Sequence, residues 1–86
     1  MLIKFKKSAI KALDRMDKPT KKRIKESIIG LTLKPPQGDI KVMQGYSDTR
    51  FRLRVGQYRI IYKYDTDSSI EILLILDIGV RGDIYK

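Results

Sequence analysis

The fold of this chain is decided by FRLRVGQYRIIY, the stretch that runs from Phe51 to Tyr62. Apolar and basic residues alternate along it on both sides of Gly56-Gln57, and alternation is typical of a β-strand that buries one face. A glycine at the first of two loop residues favours a type II′ turn. We therefore predict two antiparallel strands joined by a two-residue turn.

The length of this turn also predicts the register of the hairpin. A two-residue loop places Val55 opposite Tyr58 and, one step further, Arg54 opposite Arg59. The apolar faces of the two strands then coincide, and Arg52 joins the two arginines on the other face. Two facing arginines destabilise a hairpin unless an anion lies between them.

The segments on either side complete an α+β fold. Before the hairpin we predict a strand over residues 1–5, a helix capped by Ser8 and a second helix that starts near Pro19 and ends at the breakers in 34–39. The expected buried stripes are Ala9, Ile10, Leu13 and Met16 on the first helix, and Ile24, Ile28 and Leu31 on the second. The predicted architecture is an N-terminal strand and a helical hairpin packed on a twisted antiparallel sheet.

A final strand follows a turn predicted at 65–69. The run from Ile70 to Ile78 is apolar on both faces, which places it in the sheet interior. Pairing Tyr64 with Ile70 assigns Ile72, Leu74 and Leu76 to the core face, and Leu73, Ile75 and Asp77 to the arginine face. The same alternation returns Arg81 to the arginine face.

Composition narrows the possible functions. The 86 residues make one domain, 1–86, and 19 basic against 10 acidic residues give a net charge of +9, which indicates a polyanionic partner. The absence of cysteine and histidine excludes disulfides and the commonest metal ligands. We expect neither metal nor cofactor, and, because no apolar run is long enough to span a bilayer, a cytoplasmic protein without a membrane partner.

The candidate site consists of basic residues and one tyrosine. Arginines on one face would hold phosphates through bidentate hydrogen bonds, and a tyrosine near them would transfer a proton or stack on a base, since positive charge favours the phenolate. The simpler interpretation is a solvated strand face with an aromatic cover at the sheet edge. The candidate catalytic residues are Arg52, Arg54, Arg59, Arg81 and Tyr85; the candidate RNA-binding residues are Lys41, Arg50 and Lys63.

Two motifs resemble the RelE/ParE toxin superfamily. One is residues 41–45 followed by 51–62, with the pattern R-V-G-x-Y-R-I-I-Y; the other is the ending from Ile78 to Tyr85, with the pattern I-G-x-R-x-x-x-Y. The order of elements matches the RelE-like microbial RNase fold over nearly the whole chain. The chain thereby resembles RelE-like messenger-RNA interferases, toxins of type II toxin–antitoxin systems.

This resemblance implies a ribosome-dependent endoribonuclease that cleaves mRNA in the A site by metal-independent attack of the 2′-hydroxyl and so inhibits translation. By position, Arg59 and Arg81 match phosphate-stabilising arginines, and Tyr85 matches a catalytic-site tyrosine. Arg52 and Arg54 replace two lysines, and arginine does not readily give up a proton. The implied partners are the ribosome, mRNA and a cognate antitoxin whose acidic segment wraps the toxin.

Three other functions fit the same residues. A ParE-type toxin shares the fold and poisons DNA gyrase. A non-catalytic RNA- or ribosome-binding module would use the arginines only to grip phosphate, and a decayed toxin would keep only antitoxin binding and transcriptional control. A cleavage assay separates the nuclease from all three.

Overall fold

The computed structural model describes residues 1–80 of the protein. The elements in chain order are β1 (Leu2–Phe5), α1 (Lys7–Asp14), α2 (Lys18–Gly30), β2 (Asp39–Met43), β3 (Arg50–Val55), β4 (Tyr58–Asp67) and β5 (Ile70–Val80). The strands form one five-stranded sheet in the order β1-β5-β4-β3-β2. Both helices pack on one face of this sheet, which confirms the predicted α+β class.

The sheet is mixed rather than purely antiparallel. β3, β4 and β5 pair antiparallel as predicted, and β2 pairs antiparallel with β3. β1 lies parallel to β5, with Leu2 opposite Ile72 and Phe5 opposite Ile75. β5 thus lies between β1 and β4, so the apolar run from Ile70 to Ile78 is in the sheet interior as expected. β2 is an additional edge strand that the sequence pattern did not predict.

The start of α2 is determined by a side-chain cap. Asp17 is the N-cap residue, and its carboxylate accepts a hydrogen bond from the Thr20 backbone N–H at 3.0 Å. Hydrogen bonding to Thr20, through its side chain first and its backbone N–H second, lowers the pKa of Asp17. Pro19 lies in the first turn, where its missing N–H costs nothing, and the predicted stripe of Ile24, Ile28 and Leu31 is fully buried.

Two predictions for α1 are wrong. Ser8 is not the cap: α1 begins at Lys7, and the Ser8 hydroxyl donates to the Leu76 carbonyl in β5 at 3.0 Å. Ile10 is 46% exposed, because this eight-residue helix turns Ala9 and Leu13 toward the sheet instead.

Neither helix of residues 1–80 has the length and the apolar composition that a membrane-spanning helix needs.

The β3–β4 hairpin has the predicted register. Val55 pairs with Tyr58 and Arg54 with Arg59. Gly56 has φ +59°, whereas Gln57 does not have a positive φ, in agreement with a type II′ turn. The apolar side chains of both strands face the helices, so the arginines lie on the opposite face.

The predicted register between β4 and β5 is wrong. Tyr64 pairs with Leu73 rather than Ile70, because β4 continues to Asp67 and the turn is only Ser68-Ser69. Both serines have positive φ, 51° and 72°, a conformation for which asparagine and glycine are the usual signals. Because neither position is asparagine or glycine, the sequence did not predict a two-residue turn at Ser68-Ser69.

A β-bulge changes the face assignments further along β5. Ile61 pairs with Asp77 and Tyr62 with Ile75, so Leu76 has no partner in β4. The three-residue shift in register places Leu73 and Ile75 in the core rather than on the arginine face, and Ile72 and Leu74 on the arginine face rather than in the core. The bulge then reverses the alternation of side chains again, so Asp77 lies on the arginine face as predicted.

One apolar cluster joins the helices to the sheet. It contains Ala9 and Leu13 from α1, three residues of the α2 segment and inward-facing residues of β3, β4 and β5, among them Leu53, Ile60 and Tyr62. Tyr62 stacks on Phe51 with ring centroids 5.4 Å apart, and burial raises the pKa of its phenol. The predicted placement of Tyr62 on the helix-covered face is confirmed.

Gly38 provides a test of how β2 is attached to this core. Its φ is +130°, and a Cβ at this position would lie 2.6 Å from Leu53 Cδ1. We expect Gly38→Ala to lower the free energy of unfolding by about 2 kcal/mol or more, from backbone strain and displacement of a buried leucine. Urea denaturation measures the change.

The matched control is Gly30→Ala at the last residue of α2, where a Cβ would meet its nearest atom at an ordinary 3.6 Å. This variant should be neutral or up to about 1 kcal/mol more stable, because alanine favours the helix. Equal stability of Gly38→Ala and wild type would contradict the packing described for β2.

Candidate functional site

The sheet face away from the helices carries six cationic side chains from β2, β3 and β4. We call this the cationic face; its members are Lys41, Arg50, Arg52, Arg54, Arg59 and Lys63. Lys41 on β2 lies directly opposite Arg52 on β3, and Arg54 lies opposite Arg59. Directly opposed residues share a face of the sheet, so the predicted cations of these three strands come together.

The pair Arg54 and Arg59 lies at the hairpin end of the cationic face, with Asp39 on β2 directly opposite Arg54. Arg59 is only 7% exposed, whereas Arg54 is exposed. Arg59 Nη1 donates a long hydrogen bond, 3.5 Å, to the Tyr58 carbonyl, and neither arginine forms a salt bridge within residues 1–80. Two guanidinium groups held in this way repel each other until an anion lies between them.

Arg52 is held by a carboxylate on the neighbouring strand. Its Nη2 atom lies 3.2 Å from Asp39 Oδ1, and its side chain is 16% exposed. The Arg52 Nε atom is buried and makes no hydrogen bond in the described structure. A buried donor without a partner costs free energy, and an anion would reach this atom only if the side chains that cover it moved.

At the other end of the cationic face, Asp48 pairs with two cations. Arg50 Nε lies 2.8 Å from one carboxylate oxygen and Lys63 Nζ 3.1 Å from the other. These hydrogen bonds, that of Arg50 first, lower the pKa of Asp48. The guanidinium carbon of Arg50 also lies 4.5 Å from the centre of the Tyr46 ring, which is a cation–π distance.

The structure thus divides the residues predicted from the sequence into three groups. Lys41, Arg52, Arg54 and Arg59 lie together on adjacent strands. Arg50 and Lys63 lie on the same face, but Asp48 partly compensates their charge. Arg81 and Tyr85 lie outside the described residues. The roles of all eight stay predictions.

Sequence reasoning missed the two carboxylates that organise this face. Asp39 was assigned to the breaker segment, although its step-two spacing from Lys41 is the signal that both lie on one face of a strand. Asp48 lies in the loop between β2 and β3, and its distance from Lys63 depends on the fold alone. Lys4 was also missed; it lies on the same sheet face at β1, between the buried-side residues Ile3 and Phe5.

The cationic face is suited to binding phosphate esters. Its arginines present donors in the fork geometry that matches phosphate oxygens, and a partly buried setting strengthens each charge-assisted bond. Among residues 1–80 no three acidic side chains gather in a way that could hold a metal ion. The basic side chains of this face can bind phosphate, stabilise negative charge and, at lysine, transfer a proton.

A family comparison agrees with this arrangement. The sequence profile of the ParE toxin of type II toxin–antitoxin system, parDE, matches residues 3–85. The chain belongs to this toxin family, within the RelE/ParE superfamily. The resemblance noted in its two motifs is thereby confirmed, and the protein is a toxin of the type II toxin–antitoxin class.

Solved structures support the same fold. The toxin is 28% identical to a chain of the archaeal RelE–RelB complex from Pyrococcus horikoshii, with a TM-score of 0.71 over 95% of this chain and 96% of that one. It is 27% identical to a chain of the RelB–RelE complex from Methanococcus jannaschii, with a TM-score of 0.67 over 95% and 94%. The YoeB/ParE toxin from Agrobacterium tumefaciens, 16% identical, has a TM-score of 0.76 over 94% and 99%, a likeness of fold alone. No curated protein sequence matches the toxin significantly.

The opposed arginines yield a prediction about stability. In an Asp39→Asn background, which removes the carboxylate directly opposite Arg54 on β2, Arg54→Gln should raise the free energy of unfolding by about 0.5 kcal/mol at low salt, because it removes a like-charge pair. The gain should disappear near 1 M salt, where screening acts within about 3 Å. Lys25→Gln, the control in the same background, removes one charge from an exposed side chain on α2. A variant with Arg54→Gln no more stable than one with Lys25→Gln at low salt would disprove repulsion at the hairpin.

The Asp48 cluster predicts a pH dependence. The pKa of Asp48 in the folded toxin lies below its ordinary value of 3.8, so its stabilising contribution is present above that value. The contribution is lost as the pH falls through the lower, folded-state pKa. In acid titrations followed by circular dichroism, Asp48→Asn should lose stability less steeply below about pH 4 than wild type. Identical slopes would show that the carboxylate is not coupled to folding.

Proposed function

We propose that this toxin is a ribosome-dependent endoribonuclease that cleaves mRNA in the A site by metal-independent attack of the 2′-hydroxyl, and so inhibits translation. The observation that carries the proposal is the cationic face, where the β3–β4 hairpin holds Arg54 directly opposite Arg59. The identity of 27–28% with chains of two archaeal RelE–RelB complexes supports a RelE-like rather than a ParE-like activity.

The proposed reaction needs no group beyond protein and RNA. A base takes the proton of the 2′-hydroxyl, the O2′–P bond forms, and the P–O5′ bond breaks. The products are a 2′,3′-cyclic phosphate and a 5′-hydroxyl, which receives a proton. Negative charge on the phosphoryl oxygens grows in the transition state, and prepositioned donors stabilise it. Arg59 and Arg54 are assigned this role, with Arg81 completing the set.

Comparison of the basic residues identifies the candidate groups for proton transfer. Arginine keeps its proton at neutral pH, so Arg52 and Arg54 bind and orient phosphate rather than act as bases. The Lys63 ammonium group is engaged by Asp48 at 3.1 Å. Lys41, exposed and opposite Arg52, and Tyr85 therefore remain as the candidates for general acid and base.

The proposal includes a cognate antitoxin. The two archaeal structures are complexes of a RelE with a RelB, and this toxin carries a net charge of +9. An acidic antitoxin segment that folds on the toxin would complement this charge and cover the cationic face. The ribosome and mRNA are the proposed targets when the antitoxin is absent.

A second candidate function is poisoning of DNA gyrase. It is favoured by the family profile, which is that of the ParE toxin over residues 3–85. The fold is common to both activities and does not choose between them. The cationic face would then serve protein or DNA contacts, without any cleavage of RNA.

Primer extension on a translated mRNA tests the proposal. In a cell-free reaction, wild-type toxin should produce cuts within codons only when ribosomes are translating. Arg54→Ala should reduce the cleavage rate about 100-fold, because one stabiliser of transition-state charge is lost. Arg81→Ala should have at least this effect, and Tyr85→Phe measures the need for the phenol.

Lys22→Ala is the matched control, since it removes a charge from an exposed position on the helix layer; it should cleave as wild type does. Arg54 is exposed, so its substitution should leave the fold intact, as circular dichroism would verify. Intact RNA in every lane, together with inhibition in a gyrase supercoiling assay, would contradict the nuclease and support poisoning of DNA gyrase. Intact RNA without gyrase inhibition would leave a binding module or an inactive toxin.

A further inference from the structure

Tyr46 is an aromatic side chain on the rim of the cationic face. It lies in the loop between β2 and β3, directly after Gly45, which has φ +88°. Its side chain is 44% exposed although its ring lies 4.5 Å from the guanidinium carbon of Arg50. The ring is therefore supported by a cation and still presents much of its surface to solvent.

Arg50 itself is fixed in place. Its Nε atom donates to Asp48 at 2.8 Å, and Asp48 also accepts from Lys63 on β4 at 3.1 Å. The chain of contacts from β4 through Asp48 and Arg50 thus sets the position of the Tyr46 ring relative to the sheet. A surface loop does not need this arrangement for solubility. Two ion pairs at Asp48 fix the guanidinium group of Arg50, which in turn supports one exposed ring.

We propose that Tyr46 is a stacking platform for a nucleobase of the RNA whose phosphates lie on the cationic face. The inference rests on the proposed function, and adds to it a site for the base. A flat ring beside a row of phosphate-binding cations is the arrangement by which proteins hold single-stranded RNA. Arg50 is then a positioning residue that supports the ring, rather than a phosphate ligand.

The pairing of charges around Arg50 supports this division of roles. Asp48 compensates part of the positive charge at this end of the cationic face. Arg54 and Arg59 form no salt bridge within residues 1–80, and Asp39, directly opposite Arg54, pairs with Arg52 instead. A nucleobase is uncharged and needs a π-surface, and a phosphate needs uncompensated cations. The two ends of the face therefore match the two parts of one nucleotide chain.

Fluorescence of a single tryptophan tests the proposal directly. The toxin has no tryptophan, so Tyr46→Trp introduces the sole indole. Binding of a short 2′-O-methyl RNA, which the 2′-hydroxyl mechanism cannot cleave, should quench this indole through stacking. An abasic strand of equal length and charge should bind without quenching. Ile10→Trp, at a position 46% exposed on α1, is the control that should show no quenching with either strand.

Affinities come from the anisotropy of a labelled RNA. Tyr46→Ala should bind the RNA about 10-fold more weakly, the usual effect of removing one stacked aromatic, and Tyr46→Phe should restore wild-type affinity. Both variants should bind the abasic strand as wild type does. Arg50→Gln should weaken RNA binding and leave abasic binding within about two-fold, because it loosens the platform.

The outcomes separate this inference from the proposed function. RNA binding without quenching, and with equal affinity for Tyr46→Ala and wild type, would overturn the platform and leave the phosphate site intact. Failure of wild type to bind either strand, even at low salt, would overturn the platform, whereas the ribosome-dependent nuclease is decided separately by the primer-extension reaction. Quenching by the RNA alone, lost affinity in Tyr46→Ala and recovery in Tyr46→Phe would establish the platform.

Discussion

The two-residue turn at Gly56 determines which side chains face each other across the sheet. Its register brings Leu53 opposite Ile60 on the helix-covered face and Arg54 opposite Arg59 on the other. A slip of one residue would expose the leucine and isoleucine, each worth about 1.5–3 kcal/mol when buried. Facing like charges cost only about 0.2–1 kcal/mol. Burial therefore decides the register, and the arginine pair is its consequence.

This balance gives the toxin a site that is already assembled before any ligand arrives. The arginines come from two strands of one hairpin whose inner faces are in the core, and Arg59 is only 7% exposed. A donor held by packing needs no reorganisation when charge develops near it. Asp39, directly opposite Arg54 on β2, pairs with Arg52, and Asp48 at the other end of the face pairs with Arg50 and Lys63.

Sequence patterns predicted the parts of the fold that depend on neighbouring residues. The hairpin register followed from glycine and strict alternation, and the buried stripe of α2 followed from helical spacing. The β5 register did not, because the Ser68-Ser69 turn has an uncommon sequence for its positive φ values and the bulge at Leu76 leaves no local signal. The sequence pattern also did not predict the parallel pairing of β1 with β5.

The site shows the same division. Positions on one strand, such as Arg52 and Arg54, were predictable from alternation, whereas the bridge of Asp48 to Lys63 joins residues that only the fold brings together. The contact of Tyr46 with Arg50 likewise depends on the path of the loop before β3. Strand periodicity therefore predicted which residues share a face, whereas contacts between residues distant in sequence could not be predicted from the sequence.

The most direct test of the account is to observe the arginine side chains while RNA binds. The Nε–H resonances of ¹⁵N-labelled toxin can be followed during titration with a 2′-O-methyl RNA, and Arg15, just after α1, serves as an internal reference. The account predicts that Arg52, Arg54 and Arg59 shift together and saturate at one RNA concentration, while Arg15 does not move. Shifts confined to Arg15 and Arg23, with the hairpin arginines unchanged, would contradict it.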